Sequence, residues 1–279
     1  VDNSSTDRTV EIAKKYTSKI YVVPNNLMLN VNKNFGFTKA QSDWILSLDS
    51  DERVTPQLAK EIKAKIQVND SPASTSEAGR AKINGYLIPR KNIIFGKWIE
   101  HSGWYPDYQL RLFLKGSGRF PQGHVHEMIK IEGETQKLKE PMIHYNYETI
   151  DQFLVKLSTI YTTNEAQQLI KNGYVFNYLD AIRFPLREFL SRFFAREGYK
   201  DGLHGLILSL FMAFYHFIVF AKIWEKKKFA TTNEDILEGV SKEFGRSEKE
   251  FRHWFLQIKT DKSKGPLKKL YLRLMNKLK

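Results

Sequence analysis

The 279-residue chain contains no cysteine. That absence removes a disulfide framework and any thiolate metal site, and it is compatible with a reducing compartment. Acidic residues are the next shortage, 31 against 44 Lys and Arg, for a net charge of +13. The shortage is uneven: residues 1–150 hold 17 acidic against 21 basic side chains, and residues 151–279 hold 14 against 23. The end, 262–279, has seven basic residues and no acidic one. A basic second half fits an anionic partner, whether membrane lipid, phosphorylated glycolipid or nucleic acid, or else a merely soluble basic surface. No nucleic-acid motif is present, and the charge lies beside apolar stretches rather than on an aromatic platform, so nucleic acid is not expected. There is also no apolar run of the roughly 20 residues that a simple membrane span needs. Residues 206–221 come nearest, sixteen residues broken only by Ser209 and His216. Neither an internal repeat nor a signal peptide is visible. The opening Val1-Asp2 reads as the end of a strand running into a loop, which leads us to expect that a preceding strand is missing.

What is present alternates strand and helix in the first half. Ser5 or Thr6 is placed to cap a helix near 7–16, with Val10, Ile12 and Ala13 inward. Ile20–Val23 reads as a short strand. Trp44–Leu48 is an apolar run of strand length that ends abruptly in Asp49-Ser50-Asp51-Glu52. Thr55-Pro56 is a cap followed by proline at the first helical position, and Leu58, Ile62 and Ile66 continue it as a helix near 56–67. A polar loop at 69–81 precedes strand-like segments near 83–90, 109–114 and 141–145. This alternation predicts an α/β domain over 1–148 with a mostly parallel sheet and helices on both faces. From Thr149 the character changes. An amphipathic helix is expected over 149–171, then aromatic and Arg-rich residues over 176–196, the apolar stretch, and a basic tail with Leu267, Leu270, Leu274 and Leu278 on one helical face. Residues 149–279 therefore read as a helical, basic, membrane-associating region.

The chemistry concentrates in Trp44-Ile-Leu-Ser-Leu-Asp49-Ser-Asp51-Glu52. Carboxylates at the carboxyl end of a sheet strand sit where open α/β folds bind ligands, and two of them can hold a hard divalent cation. A solvated acidic turn is the plainer reading of a lone D-x-D. The segment Val1-Asp2-Asn3-Ser4-Ser5-Thr6-Asp7-Arg8-Thr9 adds context, a strand end meeting a helix start through a polar loop. With these two segments the chain resembles glycosyltransferase family 2 over roughly 1–150. The resemblance implies the GT-A fold, a Rossmann-like sheet that binds a nucleotide-diphospho-sugar, and inverting transfer with Mn²⁺ or Mg²⁺. It makes Asp2 a uracil contact, and Asp49 and Asp51 the pair that meets metal and diphosphate.

An inverting transfer needs one base to deprotonate the acceptor hydroxyl. The family often carries it in a segment like E-D-x-x-L-x-x-R. Here Asp107, followed by Leu110 and Arg111, stands in that place, with Pro106 where the family has Glu and a shorter spacing to the Arg. The bland alternative is a loop Asp paired with Arg111 or Arg119. Trp104 and Tyr105 either stack on a sugar or belong to the core. The run Gly123-His124-Val125-His126-Glu127, with His144 beyond it, supplies a late His for the metal, assigned to His126, and a second candidate base, Glu127. Ordinary hydrogen bonding by strand histidines remains the alternative, and zinc is rejected for want of companion ligands. Arg53, Arg90, Lys91 and Arg111 are phosphate candidates, Arg111 foremost. Asn32-Lys33-Asn34 lines either the nucleotide pocket or a surface loop, with Asn34 taken as the contact.

Residues 196–205, Arg-Glu-Gly-Tyr-Lys-Asp-Gly-Leu-His-Gly, and the apolar stretch ending in Lys-Ile-Trp-Glu (222–225) resemble the lipopolysaccharide core β-1,4-glucosyltransferase subgroup, as does Trp44–Arg53 with the Gly-Trp, Arg-Leu-Phe and Val-His-Glu downstream of it. That resemblance implies a UDP-sugar donor, glucose favoured, a lipopolysaccharide-core or other glycolipid acceptor, and work at the cytoplasmic face of the inner membrane, peripheral or monotopic. The alternative is a module of the same fold that binds nucleotide-sugar and membrane without catalysing transfer.

Overall fold

The computed structural model describes residues 1–25, 29–70, 82–121 and 128–277. They form two compact units, Val1–Lys91 with Pro106–His144, and Asn92–Tyr105 with Tyr145–Lys279.

In the first unit Asp2 forms an isolated parallel bridge with Val22. Helix α1 (Thr9–Lys14) follows, without a buried residue among those described. The expected cap at Ser5 or Thr6 is not used. The Asp7 carboxylate accepts the Thr9 N–H at 2.9 Å, because the Ser5 hydroxyl is committed to Asp2. Helix α2 (Leu29–Lys39) precedes β1 (Trp44–Leu46), a tight turn and β2 (Glu52–Arg53). Helix α3 (Pro56–Asp70) begins as its sequence dictates, Thr55 Oγ1 accepting the Leu58 N–H at 3.1 Å. Then come β3 (Ile83–Ile94), β4 (Lys97–Trp98), β5 (Asp107–Leu114), β6 (Gly118–Arg119), β7 (Lys130–Ile131), β8 (Glu134–Lys137) and β9 (Met142–Tyr147). The strand order is β1-β5-β3-β9-β2, with β8 also on β3. Consecutive residues of β5 serve opposite faces of the sheet. Leu112 packs with Leu58, Ile62, Tyr86, Ile88, Leu138 and Met142, and Phe113 with Ile45, Phe120 and Ile129.

The α/β class holds, but the expected mostly parallel sheet gives way to a mixed one. β1–β5, β3–β5 and β2–β9 are antiparallel, and β3–β8 is parallel. A parallel pair needs a long crossover, usually a helix. After α3 the first unit has no helix among the described residues, so its later strands return on themselves.

The second unit is helical. Thr149 Oγ1 caps α4 (Ile150–Lys156) through the Gln152 N–H, and a π-helical turn, Leu157–Tyr161, joins it to α5 (Thr162–Lys171). Next are α6 (Asp180–Leu190), a π turn at Ser191–Ala195, a 3₁₀ turn at Gly198–Asp201, α7 (Leu203–Lys226), α8 (Ile236–Lys262) and α9 (Pro266–Lys277). Its main core joins Ile94 and Ile99 to Tyr147, Phe153, Leu157 and Leu208, with Trp104 packed against them. Tyr105 meets Trp98 edge-on. These contacts favour the core reading of both aromatics. The buried Asp201 carboxylate accepts the His101 N–H at 2.8 Å and the Glu100 N–H at 3.3 Å. It thereby fixes a loop in which Ser102 and Gly103 both have left-handed φ, +62° and +80°. Behind that loop a Cβ added at Gly205 would sit 1.8 Å from the Gly198 carbonyl oxygen. Gly205→Ala therefore forces backbone apart. A thermal melt is expected to show a loss of at least about 1–3 kcal/mol, whereas Gly245→Ala, which meets open space, should not destabilise.

Candidate active site

The D-x-D turn is built by strand pairing. β1 lies on β5 with Leu46 opposite Leu112, and the Ser47 N–H extends the ladder to the Arg111 carbonyl at 2.8 Å. The chain then reverses. The Glu52 N–H reaches the Asp49 carbonyl at 3.1 Å, and the Asp49 N–H donates to Glu52 Oε2 at 3.0 Å. The reversal lays Glu52 opposite His144 on β9, with its side chain wholly buried.

Around this turn acids and bases alternate. Arg111 Nη2 bridges Asp49 Oδ2 at 2.6 Å and Glu52 Oε1 at 2.7 Å. Lys33, from α2, holds the other Asp49 oxygen. Arg90 donates from Nε (2.8 Å) and Nη2 (2.5 Å) to Asp107 Oδ2, and its Nη1 stands 3.8 Å from Glu52. Asp107 Oδ1 accepts from Gln109 Nε2 at 2.8 Å. Register explains the set: Arg90 is the partner of Asp107, Gln109 follows two residues on along β5, and Arg111 is the residue left over where the register shifts between Leu87↔Leu110 and Tyr86↔Leu112. Three carboxylates, Asp49, Glu52 and Asp107, thus meet three cations, Lys33, Arg90 and Arg111. Asp51, with 40% of its side chain exposed, stands apart from that balance, 3.5 Å from His144 Nε2.

Burial would raise the Asp49 carboxyl, but Arg111 and Lys33 outweigh it and hold Asp49 below the usual carboxylate range. Burial likewise works against the charged Arg111, and Asp49 and Glu52 overcome it. A carboxyl lowered on folding stabilises the fold above its unfolded pKa of about 3.9 and loses that contribution as pH falls through the folded value. Melting temperature should accordingly fall below about pH 4, and the fall should be shallower in Asp49→Asn, as an acid titration by circular dichroism would register. An unchanged acid limb in that variant would contradict the assignment.

The other sequence candidates are distributed differently. Asp2 is buried, with Ser5 donating from Oγ at 2.6 Å and from its N–H at 2.9 Å, bonds that keep its carboxyl low. The adjacent Asn3 accepts from Asn32 Nδ2 at 2.7 Å. The first turns of α2 therefore hold the Asp2 loop through Asn32 and the D-x-D turn through Lys33. Asn34 is turned elsewhere: its amide both donates to and accepts from the Phe120 backbone, at 2.8 and 2.9 Å. Asn34 thereby commits its amide oxygen and one of its N–H groups to the backbone. It lines a cavity of about 360 Å³ with Arg119, Phe120, Pro121 and Lys130. His126 and Glu127 lie outside the described residues.

Which residues could hold a divalent cation follows from the donors present. Asp51 Oδ2 and His144 Nε2, 3.5 Å apart, have a spacing that two ligands about 2.1–2.2 Å from one ion can keep. Among the described residues no group of three or more acidic, His or Cys side chains gathers as a metal cage, and both Asp49 oxygens already face cations. A donor set this small suits an ion of the Mg²⁺ type, which binds through one or two side chains and completes its shell with substrate phosphate. Sequence reasoning placed the late His at 126. His144 was visible as a candidate, but only its pairing opposite Glu52 brings it to the turn. Glu52 and Lys33 were undervalued, because nothing local marks a buried acid or its partner.

Comparison with known proteins places this geometry. The family model for glycosyl transferase family 2 matches residues 1–125. Those residues are a family 2 glycosyltransferase domain. An uncharacterized glycosyltransferase of Rickettsia typhi is 27% identical over 236 residues, 81% of this chain and 76% of its own length. The lipopolysaccharide core biosynthesis glycosyltransferase LpsC of Rhizobium meliloti is 25% identical over 234 residues, 81% of this chain and 82% of its own. Both alignments are longer than the family 2 match, so the likeness extends into the helical residues of this glycosyltransferase.

Proposed function

We propose that the protein is an inverting transferase that moves a hexose, glucose favoured, from a UDP-sugar to a lipopolysaccharide-core or other membrane glycolipid. We place it at the cytoplasmic face of the inner membrane, as a peripheral or monotopic protein on an anionic surface. The observation that carries this reading is the pairing of Asp51 with His144 at the edge of the Asp49–Arg111–Glu52 cluster. That arrangement supports a Mn²⁺ or Mg²⁺ ion shared with the donor diphosphate. When bound, such an ion offsets the charge that develops on the departing phosphate oxygen. Asp51 and His144 would hold it. Asp49 orients Lys33 and Arg111, so that two cations are fixed beside the turn before a substrate arrives, at no reorganisation cost during reaction. Asp2 is our candidate for the uracil.

Asp107 is the acceptor base in this reading. Its Oδ2 is held by two N–H groups of a charged guanidinium, and Oδ1 accepts from the neutral Gln109 amide. The acceptor proton therefore passes to Oδ1, with Arg90 fixing the carboxylate plane. A donor panel tests the whole proposal: UDP-glucose, UDP-galactose and UDP-GlcNAc, each with a membrane extract as acceptor and UDP release as readout. Release is expected with at least one donor and should vanish on chelation with EDTA. Release that is indifferent to EDTA would overturn the metal role, and no release with any donor would favour a binding module without turnover.

A further inference from the structure

Helix α7 has two apolar faces and only one of them is covered. Leu208, Ala213, Val219, Phe220 and Ile223 are buried in the second unit. Leu203, Leu210, Phe214, Phe217 and Trp224 are 39–70% exposed. Their spacing of seven, four, three and seven residues sets them on one stripe of the helix, roughly 31 Å long at 1.5 Å per residue. A helix at a water-exposed surface carries charge on such a face, yet no Asp, Glu, Lys or Arg occurs between Leu203 and Ala221. An apolar surface of this extent marks a partner of the same chemistry.

Charge says which partner. After the stripe come the exposed Glu225, Lys226, Lys227 and Lys228, a net excess of positive charge, followed by the exposed Phe229. The same unit ends in α9, where Leu267, Leu270, Tyr271 and Leu274 are exposed alongside Lys268 and Arg273. Apolar stripes bordered by basic side chains are the composition of helices that lie in a lipid–water interface and attract anionic headgroups. Trp224, its Nε1 bonded to the Ala230 carbonyl at 2.8 Å, has the polar-edged apolar body that such an interface favours.

Among the described residues, α7 is also the one helix long and apolar enough to cross a membrane, but its other side argues against crossing. Tyr215 donates to Glu165 of α5 at 2.5 Å, and His216 stands 3.8 Å from Glu165 and 3.7 Å from Glu188 of α6. Lys222 Nζ donates to the Ser158 carbonyl and to Thr163 Oγ1, each at 2.5 Å. A span would strip these groups of their partners or carry carboxylates into hydrocarbon, which is costly. The uninterrupted stretch 206–221 is only about 24 Å long, against a hydrocarbon thickness of about 30 Å.

We propose that the Leu203–Trp224 stripe is a membrane-docking face that lies in the plane of an anionic bilayer, with both ends of α7 on the same side; its purpose rests on the membrane-acceptor reading above. Because the chain lacks cysteine, single thiols report on it cleanly. Phe214→Cys carrying an environment-sensitive dye should shift to the blue on vesicles of neutral and anionic phospholipid, more than on neutral vesicles, and dye at Gln167→Cys should not. Leu203→Cys and Phe229→Cys should both react with an impermeant maleimide added outside the vesicles. Replacing Leu210, Phe214 and Phe217 together by Ser should weaken vesicle binding about tenfold or more, while UDP release on detergent-dispersed membrane glycolipid persists. Undiminished vesicle binding by that variant, protection of one end of α7, or a dimer that shields Phe214 without lipid would overturn the docking face. Vesicle binding with no UDP release under any condition would instead remove the transferase reading and leave the docking face standing.

Discussion

Asp51→Ala should reduce UDP release about a thousandfold, close to 4 kcal/mol of barrier at about 1.4 kcal/mol per factor of ten, while leaving the melting temperature almost unchanged. The two halves of that expectation have separate causes. Asp51 is partly exposed and lies outside the balanced set of Lys33, Asp49, Arg111 and Glu52, so its removal leaves those ion pairs intact and takes from His144 one partner at 3.5 Å. Surface changes of that kind usually cost within about 0.5 kcal/mol. The chemistry loses much more, because Asp51 is the carboxylate of the pair that would hold the ion. Asp49→Ala is the less clean experiment. It takes a partner from both Lys33 and a nearly buried Arg111, and breaking a buried pair costs about 3–5 kcal/mol. Activity lost there would mix misfolding with catalysis. His144→Ala supplies the control, with a raised demand for Mn²⁺ in the same assay. If Asp51→Ala turns over at the parent rate at every Mn²⁺ concentration, the ion is not held at this turn.

The parts of this site that could be read in the sequence are those set by local chemistry. An apolar strand that stops in Asp-Ser-Asp-Glu announces a polar strand end, and Thr55-Pro56 announces the helix after it. Both stand where expected. Thr149 likewise opens the helical run that continues to Lys171. What could not be read is set by register. That Arg90 faces Asp107, and that Glu52 lies opposite His144, depends on which strands become neighbours across 17 and 92 residues of chain. No periodicity encodes that. The mixed sheet escaped for the same reason, since strand direction is fixed by connections rather than by the strands' own residues. Helix α8 is a different case. Its apolar residues Val240, Phe244, Phe251, Phe255 and Ile258 recur at helical spacing and Asp235 caps it through the Glu238 N–H at 3.0 Å, so the helix was legible and went unread; what the sequence hides is that its buried residues are the polar Glu243 and Thr260. The backbone bonds of Asn34 could not be read either, because an amide that locks a backbone and an amide that contacts a nucleotide have the same sequence signature.

Asp107→Asn is expected to lower kcat by about 10²–10⁴ while UDP affinity, read by calorimetry with Mn²⁺ present, stays within about twofold of the parent value. The substitution keeps the shape and keeps an acceptor oxygen for Arg90, so the strand pairing between β3 and β5 persists. What it removes is a carboxylate able to take a proton at Oδ1. A merely structural Asp107 predicts the opposite pattern. Asn would then weaken the Arg90 pair, lower the melting temperature and disturb substrate binding together with turnover. Arg90→Gln separates the two cases further. As a positioning residue, Arg90 should lower kcat less than Asp107→Asn does, with UDP affinity again unchanged. Should Asp107→Asn retain full kcat, the base must be sought at Glu127, and the Arg90–Asp107 pair becomes a clasp between two strands.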